Sequence, residues 1–428
     1  MTEILTPTTV QIVGAVIVAA VLLQVAAMIV STFRRLGYES EQRRMALEIL
    51  NQRAATTLAQ SHEERDRVEL SWNGFRKFEI ARKEYETKDV CSFYLKPHDG
   101  RSLPPFLPGQ YLTFQLRLPD EPKAIIRCYS LSDSPAVGDY YRVSIKRVPP
   151  PRDKPDLPPG RSSNFFHDSI EVGGILDVKA PSGHFYLNMN KTSPVVLIGG
   201  GIGLTPVVSM LNTICASDVQ REVWFFLGVR DRTEHAMKDH LDNLNSQFDN
   251  LHLHVCYSDP TDDDLEGRDY THAERVSVEL MKRLLPSNNY EFYICGPPPM
   301  MEAVTSDLKD WGVPESDINF EAFGPASVKK TAKVDALASA PDQPAIELVF
   351  DRSGKTLTWD PAAESLLDFA EDNGITMDSG CRAGNCGNCI TAIKSGDVTY
   401  FNEPGSAPED GSCLTCISVP KTNLTLDA

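Results

Sequence analysis

Four cysteines near the carboxyl end, Cys381, Cys386, Cys389 and Cys416, are spaced C-x4-C-x2-C with 26 further residues before the last. Ten cysteines in 428 positions are too few to staple a secreted fold with disulfides, yet five of them fall between Cys381 and Cys416. Crowded thiolates are soft metal ligands. A zinc ribbon would prefer two C-x2-C pairs, so the spacing suits two irons held by four thiolates. Gly380, Gly384 and Gly387 agree, because a loop wrapped round a cluster must open its backbone and turn N–H groups to the sulfides. Cys413 is a rival for the fourth position. The isolated Cys91, Cys128, Cys215 and Cys256 read as core residues.

Four further motifs could handle phosphates and rings: Arg127-Cys-Tyr-Ser130, Gly160-Arg-Ser-Ser-Asn164, Gly199-Gly-Gly-Ile-Gly-Leu-Thr-Pro206 and Cys295-Gly-Pro-Pro-Pro-Met-Met301. Singly, each has a plain structural explanation. Arg-x-Tyr-Ser is an ordinary half-buried strand, and Leu204 stands where the dinucleotide fingerprint wants its third glycine. In this order, from Trp72 to Gly324, they resemble the ferredoxin-NADP reductase superfamily of flavoproteins. The cysteine loop resembles a plant-type 2Fe-2S ferredoxin, whose fourth ligand matches Cys416 in Cys-Leu-Thr-Cys-Ile-Ser.

The resemblance implies FAD, a 2Fe-2S cluster and NADH as cofactors. Arg127 would supply a bidentate cation to the flavin pyrophosphate, Tyr129 would pack on the isoalloxazine, and the Ser130 hydroxyl would bond the flavin N5. Gly160, Ser163 and Asn164 precede Phe165-Phe166, where N–H groups at a helix start can face the pyrophosphate. Val143, Ser144 and Lys146 resemble the second flavin-contacting strand. Gly199, Gly200, Gly201 and Gly203 would admit the nicotinamide pyrophosphate, with Thr205 offering a hydroxyl, and Gly296, Pro297 and Met300 would follow Cys295 along the same site. In the family the cysteine lies beside the nicotinamide C4, and the aromatic segment Phe320-Glu-Ala-Phe-Gly-Pro325 points to Phe323 as the ring covering the flavin. Asp259 would accept from the free 2′-hydroxyl of NADH and repel a 2′-phosphate, while Arg230 could reach the same ribose.

These residues need scaffolds. Short alternating runs such as Tyr111–Leu116 and Tyr141–Lys146, broken by Pro and Gly, predict a small antiparallel barrel over 71–190 for the flavin. The apolar runs Val195–Ile198 and Val223–Val229, with a glycine loop and a helix between them, predict a parallel α/β domain over 191–326 for the nicotinamide. After a polar linker at 327–343, Ile346-Glu-Leu-Val-Phe, Thr356-Leu-Thr-Trp and a helical stretch from Glu364 to Asn373 suit a β-grasp ferredoxin domain over 344–428. The six-proline loop Pro149–Pro159 reads as a rigid excursion.

The amino end differs. Val10 to Val30 carries no formal charge and would rise about 31 Å as a helix, enough for one transmembrane anchor within residues 1–31. A signal peptide wants a basic start and a shorter apolar stretch. Arg34, Arg35, Arg43 and Arg44 follow the span, which places the later domains in the cytoplasm, with the bacterial inner membrane as the expected location. Residues 32–70 carry Leu47, Leu50, Ala54 and Leu58 at helical spacing and read as a stalk. Its apolar stripe leaves packing, lipid contact and dimerisation open.

Forty-two basic and fifty-nine acidic residues give a net charge of −17, which repels nucleic acid and favours a basic docking face on any acceptor protein. Together the centres imply a relay in which NADH gives a hydride to flavin and flavin gives single electrons to the cluster. The chain resembles the reductase components of bacterial oxygenases with a carboxyl-terminal ferredoxin. The middle also resembles flavohaemoglobin reductase modules, here without a preceding globin. The sodium-pumping NADH:quinone oxidoreductase has a similar subunit, but there the ferredoxin comes first. A non-catalytic redox sensor would not need the whole nicotinamide site. Oxygenase, desaturase-like di-iron protein, haem protein and quinone all remain open as acceptors.

Overall fold

The computed structural model describes residues 7–428 except 120–123, 151–155, 157, 218–220, 322, 324–345, 381, 383, 385–386, 402–403 and 405–407. Two compact units result, Met1–Val68 and Glu69–Ala428.

The first unit is helical. One uninterrupted helix, α1 (Pro7–Glu69), covers 63 residues. Within it Gly14–Arg35 forms a 22-residue window of mean hydropathy 2.5, none of it buried. The apolar stretch and the segment after it are thus one helix, because good helix formers such as Leu, Gln, Arg, Glu and Ala run on past the apolar residues. Leu47, Leu50 and Leu58 are exposed on it.

The second unit opens with a barrel. Its elements are β1 (Arg76–Tyr85), β2 (Val90–Pro97), β3 (Tyr111–Leu116), β4 (Ile125–Ser130), β5 (Tyr141–Lys146), α2 (Arg161–Ser169) and β6 (Ile175–Val178). The strands order as β4-β3-β6-β1-β2-β5 with every pairing antiparallel. Leu131, just past β4, bridges Val143 on β5, and Ser132 N–H donates to the Arg142 carbonyl, which joins the two outer strands. Alternation along each strand turns Phe78, Phe93, Phe114, Leu112 and Val178 into one buried core, and Phe166 of α2 plugs it.

A parallel sheet follows: β7 (Val195–Gly200), α3 (Leu204–Ala216), β8 (Val223–Val229), α4 (Lys238–Gln247), β9 (Leu251–Tyr257), α5 (Val278–Leu284), β10 (Glu291–Cys295), α6 (Pro298–Asp310) and β11 (Ile318–Glu321). Its order is β11-β10-β7-β8-β9, with all four pairings parallel. Both faces are covered, one by the cluster around Val207 and Leu211 of α3, the other by Met281 of α5 and Val304 of α6. This explains why the inner strand β7 is continuously apolar and β8 nearly so, whereas the edge strands β9 and β11 carry His252, His254, Asn319 and Glu321. The fully buried Arg221 guanidinium is held by Glu291 of β10 at 2.5 Å and by the Ser193 carbonyl at 2.6 Å, so a charge in the core is paired.

The carboxyl domain contains β12 (Glu347–Phe350), β13 (Lys355–Thr358), α7 (Leu366–Asp372), β14 (Ile390–Ser395), β15 (Val398–Tyr400), β16 (Ser412–Leu414), β17 (Ser418–Pro420) and β18 (Leu424–Leu426). The main sheet orders as β13-β12-β18-β14-β16, with the first strand parallel to the last, as a β-grasp requires. Ser365 caps α7 by accepting from the Asp368 N–H.

Candidate functional site

A cavity of about 420 Å³ lies where the barrel, the parallel sheet and the carboxyl domain meet, within the size range of cofactor pockets. The barrel contributes Arg127, Cys128, Tyr129 and Ser130 of β4, Ser144 and Lys146 of β5, and Gly160 with the first turn of α2. The parallel-sheet domain contributes Ile202, Thr205, Glu321 and Phe323, and the carboxyl domain contributes Gly380 and Arg382.

Packing fixes the ring of Tyr129. It stands edge-on to Phe114 at 5.7 Å and to Phe166 at 5.2 Å, so α2 and β3 together set its plane. Burial pushes its phenol up, and the nearby Arg127 guanidinium only partly offsets that, so the ring is a neutral platform. Burial pulls Arg127 below the ordinary arginine range, and Arg161 and Arg382 add repulsion. Its Nη1 donates to the carbonyls of Ile126 at 2.6 Å and Gly380 at 3.3 Å. Lys146 pairs with Glu234 at 3.4 Å.

Two expected flavin contacts take other places. Val143 is fully buried in the barrel core, where it forms the bridge to Leu131, and it does not line the cavity. Asn164 does not line it either. Its amide donates to the carbonyls of Val148 at 2.9 Å and Gly160 at 2.8 Å, and its oxygen accepts from Arg147. The Ser163 hydroxyl donates to the Gly160 carbonyl at 3.1 Å, so it shapes the turn while reaching the wall. Sequence reading passed over Ser162. Its hydroxyl is buried in the first turn of α2, a turn that lies on the cavity wall, and has no hydrogen-bond partner among the described residues. Arg161 and Arg382 were missed as well, since neither belongs to a periodic pattern. A buried orphan hydroxyl, a helix start and converging guanidinium groups fit a flavin phosphate.

The glycine loop works largely by close approach. A Cβ on Gly200 would meet Met300 Sδ and Pro297 Cδ at 2.7 Å. Gly201 adopts φ +54°, and Gly199 sits against Leu204. The loop is therefore docked on the Cys295–Met300 segment, with Cys295 of β10 opposite Gly199 of β7. Gly296 has Met300 and Gly200 against it, and Pro297 caps α6. Thr205 is buried and donates to the Ile202 carbonyl at 3.0 Å. Cys295 is fully buried, and burial pushes its thiol well above the ordinary range. Phe323 both lines the cavity and packs on the cluster that contains Cys295. Asp259, two residues past β9, accepts from Arg230 Nη2 at 3.0 Å and Nε at 3.2 Å. The pair stands at the carboxyl ends of adjacent parallel strands, where open α/β sheets bind ligands.

In the carboxyl domain the Sγ atoms of Cys389 and Cys416 lie 3.1 Å apart, both cysteines buried. Thr415 Oγ1 donates to the Cys389 carbonyl at 3.1 Å and ties the two segments. Arg382, Gly384 and Gly387 have φ of +56°, +77° and +71°, the open backbone expected of a cluster loop. Cys381 and Cys386 lie outside the described residues. Cys413 belongs to the separate core around Phe350 and Phe369, and burial pushes its thiol up to about 12. The converging thiols and open loop fit a 2Fe-2S cluster.

Three family models match. Residues 77–186 match the oxidoreductase FAD-binding domain, 197–306 the oxidoreductase NAD-binding domain and 349–421 the 2Fe-2S iron-sulfur cluster binding domain. A flavohemoprotein of Bacillus cereus is 40% identical over 269 residues, which are 63% of this chain and 66% of that protein. The chain thus spans just under two thirds of the length of the curated relatives it matches. Phthalate dioxygenase reductase, described as a modular structure for electron transfer from pyridine nucleotides to 2Fe-2S, is 27% identical with a TM-score of 0.52, covering 83% of this chain and 98% of its own. The FAD/NAD-binding domain of nitric oxide dioxygenase from Vibrio cholerae O1 biovar El Tor is 31% identical with a TM-score of 0.52, covering 59% of this chain and all of its own.

Proposed function

We propose, on the premise that this chain belongs to the ferredoxin-NADP reductase superfamily of flavoproteins and ends in a 2Fe-2S ferredoxin domain, that it is a membrane-anchored, NADH-dependent reductase serving an oxygenase-type protein acceptor. One observation carries the reading: a single cavity is walled by the flavin barrel, the nicotinamide domain and the cluster loop. When bound there, the flavin supplies the exchange between a two-electron donor and a one-electron cluster.

The chain's own residues prepare that exchange. Arg127, Arg161 and the Ser162 hydroxyl would hold the phosphate end, Tyr129 would support the ring, and Ser130 would donate to it. Phe323 would shield the cavity from water until a nicotinamide ring replaces it. Cys389 and Cys416, with Cys381 and Cys386, would hold the cluster. The likeness to phthalate dioxygenase reductase supports an oxygenase-type acceptor. Residues 341–428 carry fourteen Asp/Glu and five Lys/Arg, so the acceptor's docking face would be basic and its association would weaken with salt. The unburied apolar window of α1 supports attachment to a membrane. The arginines after it support a cytoplasmic body.

The test is anaerobic titration of the purified full chain with NADH. Flavin absorbance should bleach and the paramagnetic signal of a reduced 2Fe-2S cluster should appear. A cluster that stays oxidised while the flavin is fully reduced refutes the relay.

A further inference from the structure

The barrel does not enclose the candidate flavin cavity by itself. Gly380 and Arg382, which flank the first cluster cysteine in sequence, come from the carboxyl domain and form part of the wall. Among the described residues, two polar ties join that loop to the barrel. Arg127 donates to the Gly380 carbonyl at 3.3 Å, and Lys179, just past β6, donates to Asn388 Oδ1 at 3.1 Å. The apolar cores stay separate: among the described residues, the buried clusters of the barrel and of the carboxyl domain share no member. Polar contacts through the cluster loop therefore contribute to docking at this seam.

Arg382 is built to stay where it is. Its backbone is left-handed, a conformation disfavoured for a side chain with a Cβ, and its guanidinium is gripped by α7. Nη1 donates to Asp368 at 3.0 Å, and Nη2 donates to both oxygens of Glu371 at 2.5 and 2.6 Å. Three of its five N–H donors are thereby used, which leaves Nε–H and one Nη1 hydrogen for a ligand. Arg127, Arg161 and Arg382 all line the cavity, which also has the Glu321 carboxylate on its wall, so guanidinium groups from the barrel and from the carboxyl domain face one space. The orphan hydroxyl of Ser162 on the same wall is a second, independent sign of a missing acceptor.

We propose that the carboxyl domain completes the flavin phosphate site, with Arg382 as a positioning residue supplied across the seam, so that flavin binding and docking of this domain stabilise each other. The proposal rests on reading this cavity as the flavin site. Linkage makes the effect reciprocal: whatever docking adds to flavin affinity, flavin adds to docking.

The test uses the full chain, stripped of flavin and titrated with FAD while fluorescence quenching is followed, in wild type, Arg382→Gln, Arg382→Lys and Lys179→Glu. Lys179 lies outside the cavity and tests docking alone. FAD affinity should fall roughly fivefold or more in Arg382→Gln and in Lys179→Glu, and Arg382→Lys should recover most of it. In hydrogen exchange, FAD should protect the amides of 380–388 in wild type but not in Lys179→Glu. If Arg382→Gln loses its iron-sulfur absorbance, Lys179→Glu alone decides. Wild-type affinity in Lys179→Glu, with no FAD-dependent protection of the loop, overturns the coupling and leaves the flavin site standing. A wild-type chain that binds no FAD overturns both.

Discussion

Gly203 and Cys295 approach so closely that a Cβ on the glycine would stand 2.2 Å from the Cys295 carbonyl oxygen. The glycine loop and the segment after β10 are therefore one structure, and a nicotinamide site built from them would depend on their contact. Gly203→Ala should push the Cys295–Pro297 backbone away at a cost of about 1–3 kcal/mol. We expect bound flavin to survive while kcat/KM for NADH with ferricyanide falls about tenfold or more. Unchanged NADH kinetics would place the nicotinamide elsewhere.

The Arg230–Asp259 pair concerns cofactor choice. If the ribose binds at this strand edge, the Asp259 carboxylate should make the protein prefer NADH to NADPH by at least about tenfold in kcat/KM, which requires only ~1.4 kcal/mol. Asp259→Arg should narrow the gap, since it replaces a repelling charge and leaves Arg230 without this partner. Equal use of both cofactors by the wild type would show that the ribose lies away from this pair.

The two cysteine environments predict opposite outcomes. Cys389→Ser should abolish the cluster's absorbance and delivery to the protein acceptor but spare NADH–ferricyanide turnover at the flavin. Cys413→Ala should keep the iron and cost only about 1 kcal/mol of stability, because it shortens one side chain in a packed core. Iron content and denaturant midpoints check both.

Acid should weaken the parallel-sheet domain through His235. Burial, with Lys238 nearby, lowers this imidazole to about 4, and its Nδ1 lies 2.9 Å from the Tyr257 hydroxyl. The unfolded chain takes up that proton near 6.5. Between these values the unfolded state binds more protons, so stability falls as pH drops from about 6.5 toward 4, by up to about 3 kcal/mol. Urea midpoints at pH 7.5 and 5 should differ less in His235→Gln than in wild type.

Deleting residues 1–31 should release a soluble, yellow-brown protein that still reduces ferricyanide. A truncated chain that continues to pellet with membranes at high salt would assign attachment to another surface.

The motifs were legible because chemistry confines them to short spans. C-x4-C-x2-C, Arg-x-Tyr-Ser and the glycine loop each place their groups through local backbone geometry, and the strands carrying them alternate or run apolar as their burial demands. Val143 and Asn164 could not be read in this way. Alternation sets Val143 on the face opposite Ser144 and Lys146, but only barrel closure decides that its face is the core and theirs the cavity. Asn164 sits in a helix-start motif, yet its amide is taken up by Val148 and Gly160 once the strand and the turn come together.

By itself the sequence determined the order of three domains, the cysteines suited to a metal and the apolar segment that precedes them. Tertiary structure decided which of these residues share a cavity. Arg127 and Arg382 are far apart in the chain, and nothing local to either one encodes the other. They meet because the domains dock, the barrel and the parallel sheet partly through a shared apolar cluster and the carboxyl domain through contacts such as the one from Arg127 to the Gly380 carbonyl, none of which has a periodicity a sequence could show.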